Sequence, residues 1–417
     1  MIITKKFESS AVNTFKIGDP KNFIYGKDEY LYTDNKNKYL DLVSGSAVTI
    51  LGHGNKEHIK ITKQVLKSGI FHTGTRLTNK YREDLYLILD KVLPKNINTF
   101  HLANSGSEAV ETALKVVQYV TKKSGAISFT GGYHGRTIGA LSVTHDKKLR
   151  TSFQTLKNNV FLPYPGTYKN NKEKYSEEEC LNKINNYFKK KKNLPPVAII
   201  ECIQAVSGII IPSKKFIKAV FKILKKNNIY IIADEIWNGM GRTGRLFSFE
   251  KYDVKPDIVC LGKSLSATIP LSAVAAPKKL LKNWPPGIHT STFQGNPIAC
   301  ALSKSTFDQI LSKKLLVRVN KIEQIFKQFS SRIINCKYVG DVRVVGAQAG
   351  IEFLDKKNLP NKHIVNILVK TLLIKKIIVY AGGEKSNVLM LIPPIIIKYN
   401  NLKKALKIIE KEIISLN

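Results

Sequence analysis

The chain has 417 residues, more than one compact core usually holds, which predicts two lobes and excludes a small disulfide scaffold. Hydrophobic residues make up 43% and charged residues 24%, a balance that excludes a disordered or collagen-like chain. Lys and Arg outnumber Asp and Glu by 67 to 31, and the resulting charge of +36 indicates either a surface for anionic polymers or a solvated, lysine-rich surface.

The distribution of the charge favours the solvated surface. The excess is nearly all Lys, it is spread along the chain, and no DNA- or RNA-binding motif accompanies it, so we expect no nucleic-acid partner. The 5 cysteines are scattered without a Cys-x-x-Cys pair, which predicts neither disulfides nor a metal site. No signal peptide and no run of roughly 18 to 20 apolar residues is visible. We therefore expect a cytoplasmic protein without a membrane partner.

Short apolar runs alternate with amphipathic segments along the chain, which predicts an α/β fold with a mainly parallel sheet. Phe216, Val220 and Leu224 share one face of a predicted helix at 214–227. The polar segment 166–195 indicates an insertion or a surface helix, and the texture changes again after about residue 310. The predicted strands are 99–103, 126–130, 197–202, 229–233 and 258–261.

The first chemical motif, Asn104-Ser-Gly-Ser-Glu, directly follows the first of these strands. Ser105 and Glu108 have the spacing of a capping box. The free N–H groups and the positive helix end at Gly106 and Ser107 would favour a phosphate. A well-capped structural helix fits the same residues.

Two further motifs follow the next strands. In Gly131-Gly-Tyr-His-Gly-Arg-Thr, the glycines allow a sharp turn that brings Tyr133 and Arg136 together, although a turn with a packed Tyr is the simpler interpretation. Asp234 and Glu235 end an apolar strand, where ligands bind in open α/β sheets, unless they are rim charges. Residues 239–244 satisfy G-x-G-x-x-G, but they begin five residues beyond the strand and no clear helix follows, so we do not predict a nucleotide site.

The last two motifs are Leu-Gly-Lys263 at a strand end and the hydroxyl-rich loop His289-Thr-Ser-Thr292. Lys263 lies 29 residues after Asp234, about one strand–crossover–strand unit, so neighbouring strands could hold both. A surface lysine and a helix cap are the plainer alternatives.

Together the five motifs, with Ser44-Gly-Ser-Ala-Val near the start and Asp341-Val-Arg-Val-Val-Gly near the end, occur in the order found in one family. The chain resembles the class III aminotransferases, which include the 4-aminobutyrate, ornithine and acetylornithine enzymes. The resemblance implies fold type I, with a large domain around a mainly parallel seven-stranded sheet and a smaller α+β domain. We expect an N-terminal segment at 1–50 packing with the small domain, a large cofactor-binding domain at 51–309 and the small domain at 310–417.

The resemblance also implies roles for particular residues. Lys263 would hold pyridoxal 5′-phosphate as an internal aldimine and move the proton on the way to the pyridoxamine form, while Asp234 would pair with the pyridinium nitrogen. Tyr133 would stack on the ring. Ser105, Gly106 and Ser107 would cradle the phosphate, and Thr292 would reach it from the neighbouring subunit of a homodimer. An amine donor and a 2-oxo acid acceptor would be the substrates.

Three positions depart from the family pattern. Val206 replaces a Glu, and Met390 replaces the Arg that grips a substrate carboxylate in similar enzymes and pairs with that Glu. Because both partners are replaced, we expect that 2-oxoglutarate and glutamate are not bound in the usual way. Trp237 stands where many relatives have a cofactor-binding Gln, and it could donate from its indole N–H or simply narrow the pocket.

Three hypotheses for the function remain at this stage. An aminotransferase is the leading one, and a racemase or epimerase on the same scaffold is the second. A non-catalytic protein that binds anionic polymers is the third, although the intact Lys263, Asp234 and Thr292 argue against it.

Overall fold

The structure is a computed structural model that describes residues 7–12, 21–170, 173–312 and 314–416. The strands in these ranges are β1 (Phe23–Lys27), β2 (Tyr30–Thr33), β3 (Lys38–Asp41), β4 (Thr99–Ala103), β5 (Ile127–Phe129), β6 (Val160–Leu162), β7 (Val197–Ile200), β8 (Tyr230–Asp234), β9 (Ile258–Leu261), β10 (Ser272–Ala276), β11 (Val339–Val345), β12 (Gln348–Phe353), β13 (Ile377–Ile378), β14 (Tyr380–Gly382) and β15 (Val388–Leu391).

The α-helices in the described ranges are α1 (Ser44–Ala47), α2 (Lys56–Lys67), α3 (Lys80–Val92), α4 (Gly106–Thr121), α5 (Ile138–Val143), α6 (Lys147–Thr151), α7 (Glu177–Lys190), α8 (Lys214–Lys226), α9 (Lys278–Leu281), α10 (Pro297–Ser312), α11 (Leu315–Ile333), α12 (Lys362–Ile374) and α13 (Tyr399–Ile414). Two 3₁₀ helices lie at Ser248–Tyr252 and Lys263–Leu265. None of the helices in the described ranges is long and apolar enough to cross a membrane.

A seven-stranded sheet in the order β4-β10-β9-β8-β7-β5-β6 forms the centre of the molecule. The pairs from β9 to β6 are parallel, whereas β10 runs antiparallel to both β4 and β9. The carboxyl ends of β4, β5, β7, β8 and β9 therefore meet at one edge of the sheet. This arrangement confirms the predicted α/β fold with its mainly parallel sheet. All five predicted strands are present, within three residues at each end.

The local sequence explains the main elements. Strand β10 was missed because its sequence, Ser-Ala-Val-Ala-Ala, has little β-branched character, and its buried position between β4 and β9 overrides that weak propensity. Helix α8 matches the predicted helix, with Ser213 as its N-cap, Phe216, Val220 and Leu224 buried and its lysines toward solvent. Segment 166–195 contains the surface helix α7, which begins with a complete capping box at Ser176.

Two smaller sheets lie outside the central one. The first has the order β1-β2-β3-β13 and joins the N-terminal strands to the C-terminal region, since Leu40 pairs with Ile377. The second has the order β11-β12-β15-β14. The proposed domain limits at 50/51 and 309/310 stay predictions, and the second of them falls within α10.

Candidate functional site

A cavity of about 380 Å³ opens where the strands of the central sheet end. Its walls come from segments that directly follow β4, β5, β7, β8 and β9, together with Ser46 from α1. Six of the seven predicted site residues line this one cavity, namely Ser105, Gly106, Ser107, Tyr133, Asp234 and Lys263. The other lining residues are Ser46, His134, Gly135, Arg136, Glu201, Val206, Ile236 and Trp237.

Thr292 is the predicted site residue that lies elsewhere. It is exposed and borders a separate surface depression together with Thr290 and residues 73–77. His72 Nε2 contacts its carbonyl oxygen at 2.5 Å. A single chain therefore does not bring Thr292 to the cavity.

The start of α4 forms one wall of the cavity. Ser105 is its N-cap, and the Ser105 hydroxyl accepts a hydrogen bond of 3.3 Å from the Glu108 N–H. The predicted capping box is wrong in its second half, because the Glu108 carboxylate accepts from the backbone N–H and side chain of Asn104, at 2.7 and 3.2 Å, instead. A Cβ at Gly106 would lie 3.0 Å from two side-chain carbons of Ile236, so glycine keeps this end open.

Asp234, the last residue of β8, is buried rather than a rim charge. Its Oδ2 atom lies 2.7 Å from Nδ1 of His134, and its Oδ1 accepts a hydrogen bond of 3.1 Å from the Ile236 N–H. The side chains of His134 and Asp234 are only 1% and 4% exposed. Such a pair in a low-dielectric site fixes the orientation of the carboxylate.

Glu235 does not line the cavity and has a structural role. Its carboxylate accepts hydrogen bonds from the N–H and hydroxyl of Ser248, at 2.8 and 2.6 Å, and from the Phe249 N–H at 3.0 Å. Burial raises the pKa of Glu235 to about 7 in spite of these bonds. The residue therefore anchors the 3₁₀ helix that follows the site.

Lys263 follows β9, the parallel neighbour of β8, so the predicted proximity of its strand to that of Asp234 is confirmed. Its φ of 43° lies in the left-handed region, which costs energy for a residue with a side chain and is typical of functional sites. Burial lowers the pKa of the Lys263 amine, although the nearby carboxylates of Asp234 and Glu201 oppose this shift. The free energy needed to deprotonate the Lys263 amine is therefore smaller than for an exposed lysine.

Glu201 and His134 are the site residues that sequence reasoning did not select. The Glu201 carboxylate, which follows β7, accepts hydrogen bonds from the N–H groups of Tyr133 at 3.0 Å and Ala205 at 3.1 Å. Burial raises its pKa to about 7; His134 opposes the rise and Asp234 adds to it. Their position just after buried strands was the available signal.

Two of the three departures from the family pattern line the cavity, and the third, Met390, does not. Val206 lines it, and its carbonyl accepts from the Gly383 N–H at 3.0 Å. Met390, on β15, is 3% exposed and occupies the space that a Cβ at Gly382 would need. Trp237 lines the cavity, and its indole N–H donates to Gln348 Oε1 at 3.1 Å.

The glycine-rich segment 239–244 lacks the local structure of a dinucleotide fingerprint. It turns toward the 3₁₀ helix at Ser248–Tyr252 rather than into an α-helix, as the sequence predicted. Arg242 within it is fully buried and donates to the carbonyl oxygens of Ala347 at 3.2 Å and Pro393 at 2.5 Å. These bonds join the large sheet to the C-terminal region.

Comparisons with known proteins agree with this geometry. The family described as Aminotransferase class-III matches residues 21–413. The acetylornithine aminotransferase of Clostridium acetobutylicum is 32% identical over 402 residues, covering 94% of this chain and 96% of that protein. A [LysW]-aminoadipate semialdehyde/glutamate semialdehyde transaminase of Sulfolobus acidocaldarius is 31% identical, covering 94% and 95%.

A transaminase from the marine bacterium Virgibacillus has the same fold, with a TM-score of 0.90 and 22% identity, covering 99% of this chain and 98% of that one. The family match extends over nearly the whole chain, and relatives above 30% identity cover it almost completely. The chain therefore belongs to the class III aminotransferases and is a pyridoxal-phosphate-dependent enzyme.

Proposed function

We propose that the enzyme moves an amino group from an amine-bearing carboxylic acid to a 2-oxo acid, with Lys263 and Asp234 as its catalytic residues. One observation carries this proposal: a lysine with a lowered amine pKa, a buried carboxylate and an open helix N-terminus line a single cavity of about 380 Å³. The lysine amine would react with an aldehyde, the carboxylate would pair with the nitrogen of a pyridine ring, and the helix N-terminus would bind a phosphate.

The residues fit pyridoxal phosphate on structural grounds. Asp234 is a buried carboxylate that faces the cavity with one of its oxygens already paired to His134, and such a group would hold a proton on the ring nitrogen. Gly106 and Ser107 would bind the phosphate through their backbone N–H groups at the positive end of α4. Tyr133 would cover the ring.

When bound, pyridoxal phosphate supplies an electron sink for the pair released at the donor carbon. Lys263 would bond to it covalently and, once displaced by the donor, its Nζ would take the proton from the amine-bearing carbon. The lowered pKa of Lys263 supports this role, because a base must be unprotonated before it accepts a proton. His134 would hold Asp234 in place during this transfer.

We also propose that the active unit is a homodimer in which Thr292 of one chain completes the phosphate site of the other. Three observations support this: Thr292 is exposed, it lies outside its own chain's cavity, and Leu77 and Phe293 beside it are 67% and 65% exposed. Exposed apolar side chains of this size are typical of an interface.

The cytoplasm is the proposed compartment, and the five free cysteines support it.

The cavity walls support a particular class of substrate. Arg136 is exposed, lines the cavity and forms no ion pair within the described ranges, so its guanidinium could bind one carboxylate of the donor. The remainder of the cavity wall includes Val206, Ile236 and Trp237, and Val206 is bonded to Gly383, next to the Gly382 that Met390 contacts. We propose that substrates with one carboxylate and an uncharged remainder are preferred to glutamate and 2-oxoglutarate.

The experiment that tests the function is a titration of the holoenzyme with amines and amino acids, without an acceptor, followed by the visible absorbance of the cofactor. Complete, stoichiometric conversion by one donor is expected and would name its substrate class. A band that substrates perturb only reversibly would favour a racemase or epimerase. No band after addition of pyridoxal phosphate would overturn the proposed roles of Lys263 and Asp234.

A further inference from the structure

Trp237, in the cavity wall, contacts the side chain of Lys263 through the face of its ring. The Lys263 Nζ atom lies 4.8 Å from the centroid of the indole ring, a distance at which the face of an aromatic ring attracts an ammonium group. Trp is the aromatic residue that binds cations most strongly in this way. The contact brings together a residue that departs from the family pattern and the lysine that carries the chemistry.

The indole is held in this position by a buried hydrogen-bonded chain. Its N–H donates to Gln348 Oε1 at 3.1 Å, Gln348 Nε2 donates to Asn238 Oδ1 at 2.9 Å, and Asn238 Nδ2 donates to the Ile203 carbonyl at 2.7 Å. Gln348 and Asn238 are fully buried. Every link has a fixed donor and acceptor, so the ring has little freedom to rotate.

We propose that Trp237 is a positioning residue that holds the amine of Lys263 against its indole face whenever that amine is free, with its N–H committed to Gln348 and not to a group in the cavity. The inference rests on the proposed role of Lys263, but the contact itself does not. On this proposal the indole N–H does not serve as the hydrogen-bond donor that Gln provides in similar enzymes.

Removal of the Trp237 ring should move the pKa of the Lys263 amine in opposite directions, depending on whether the ring attracts the ammonium or only shields it from water. If the ring only shields Lys263 from water, removal of the ring hydrates the ammonium and raises the pKa of the amine. If the ring face attracts the ammonium, removal lowers that pKa by about 0.5 to 1 unit. The carboxylates of Asp234 and Glu201 raise the pKa of the amine, and Arg136 is a cation in the same cavity; all three come from other strand ends and are the same in both proteins.

The first experiment uses the cofactor-free chain. Wild type, Trp237→Leu and Trp237→Phe are labelled briefly with acetic anhydride at a series of pH values, and the Lys263 peptide is quantified by mass spectrometry. We expect its titration to move downward in Trp237→Leu and less in Trp237→Phe, which keeps a ring face. If the titration of Lys263 stays where it is in the wild type or moves upward in both variants, the proposal is overturned.

The second experiment tests the N–H with the holoenzyme. Apparent affinity for pyridoxal phosphate is measured by absorbance for Trp237→Phe and for the matched variant Gln348→Met. Since the N–H does not face the cofactor, we expect the two variants to bind within about threefold of each other. A loss of about tenfold or more in Trp237→Phe alone would show that the indole donates to the cofactor. Absence of binding by the wild type would contradict the proposed function while leaving the first experiment valid.

Discussion

The paired replacement at positions 206 and 390 gives a quantitative test of acceptor choice. Met390 is 3% exposed, so the guanidinium of Met390→Arg would be buried without a carboxylate partner, at a cost of about 3 to 5 kcal/mol in the free energy of unfolding. Val206 lines the cavity and bonds through its carbonyl to Gly383, which follows the strand that packs against Met390. Val206→Glu could therefore supply that partner, and the double variant should recover most of the loss.

A substrate carboxylate that binds the new arginine would contribute about 1.5 to 3 kcal/mol, a gain of about 10- to 150-fold in kcat/KM for 2-oxoglutarate. Single-turnover absorbance measurements with 2-oxoglutarate and pyruvate as acceptors provide the assay, and denaturant unfolding measures the stability. Val206→Gln/Met390→Arg is the control that lacks the carboxylate. If the double variant is as stable as the wild type but gains nothing with 2-oxoglutarate, the inferred link between these two positions and acceptor choice is wrong.

Three further predictions concern buried polar groups. His134→Phe removes a charge-assisted hydrogen bond from Asp234 and should slow the donor half-reaction about 10- to 150-fold. His134→Asn keeps a hydrogen-bond donor and should slow it less, and equal losses of rate would contradict a role for the bond. Because the pKa of Glu235 is raised to about 7, the stabilisation from this group is present below about pH 4.5 and is lost as the pH rises toward 7. Glu235→Gln should therefore reduce the pH dependence of the free energy of unfolding between pH 5 and 8, and an unchanged slope would refute this. Burial opposes ionisation of Glu352, but Arg343, at 2.5 Å, and Lys174 lower its pKa to about 2. Glu352→Gln should therefore lower the free energy of unfolding by about 3 kcal/mol at pH 7, and denaturant titrations should show this difference shrinking as the pH falls from 4.5 toward 2.

Local sequence was sufficient to predict the helices and strands whose own pattern of apolar and capping residues specifies their conformation. Helix α8 was predictable because its apolar residues recur at helical spacing, and α4 because Ser105 caps a regular apolar stripe. Strands such as β9 were predictable because continuous apolar runs of this length are buried on both faces of a parallel sheet. Strand β10 was not, since only its neighbours make it a strand.

The family and the cofactor chemistry followed from the resemblance of short motifs to those of known aminotransferases, because the order and spacing of motifs are properties of the chain. Which of these groups meet depends on the tertiary structure. It placed His134 on Asp234, bonded Glu235 to Ser248 and Phe249, and committed the Trp237 N–H to Gln348. These contacts join residues 13 to 111 apart in sequence. Such pairings depend on sheet order and on the competition of several acceptors for one donor, and neither is encoded in any single segment.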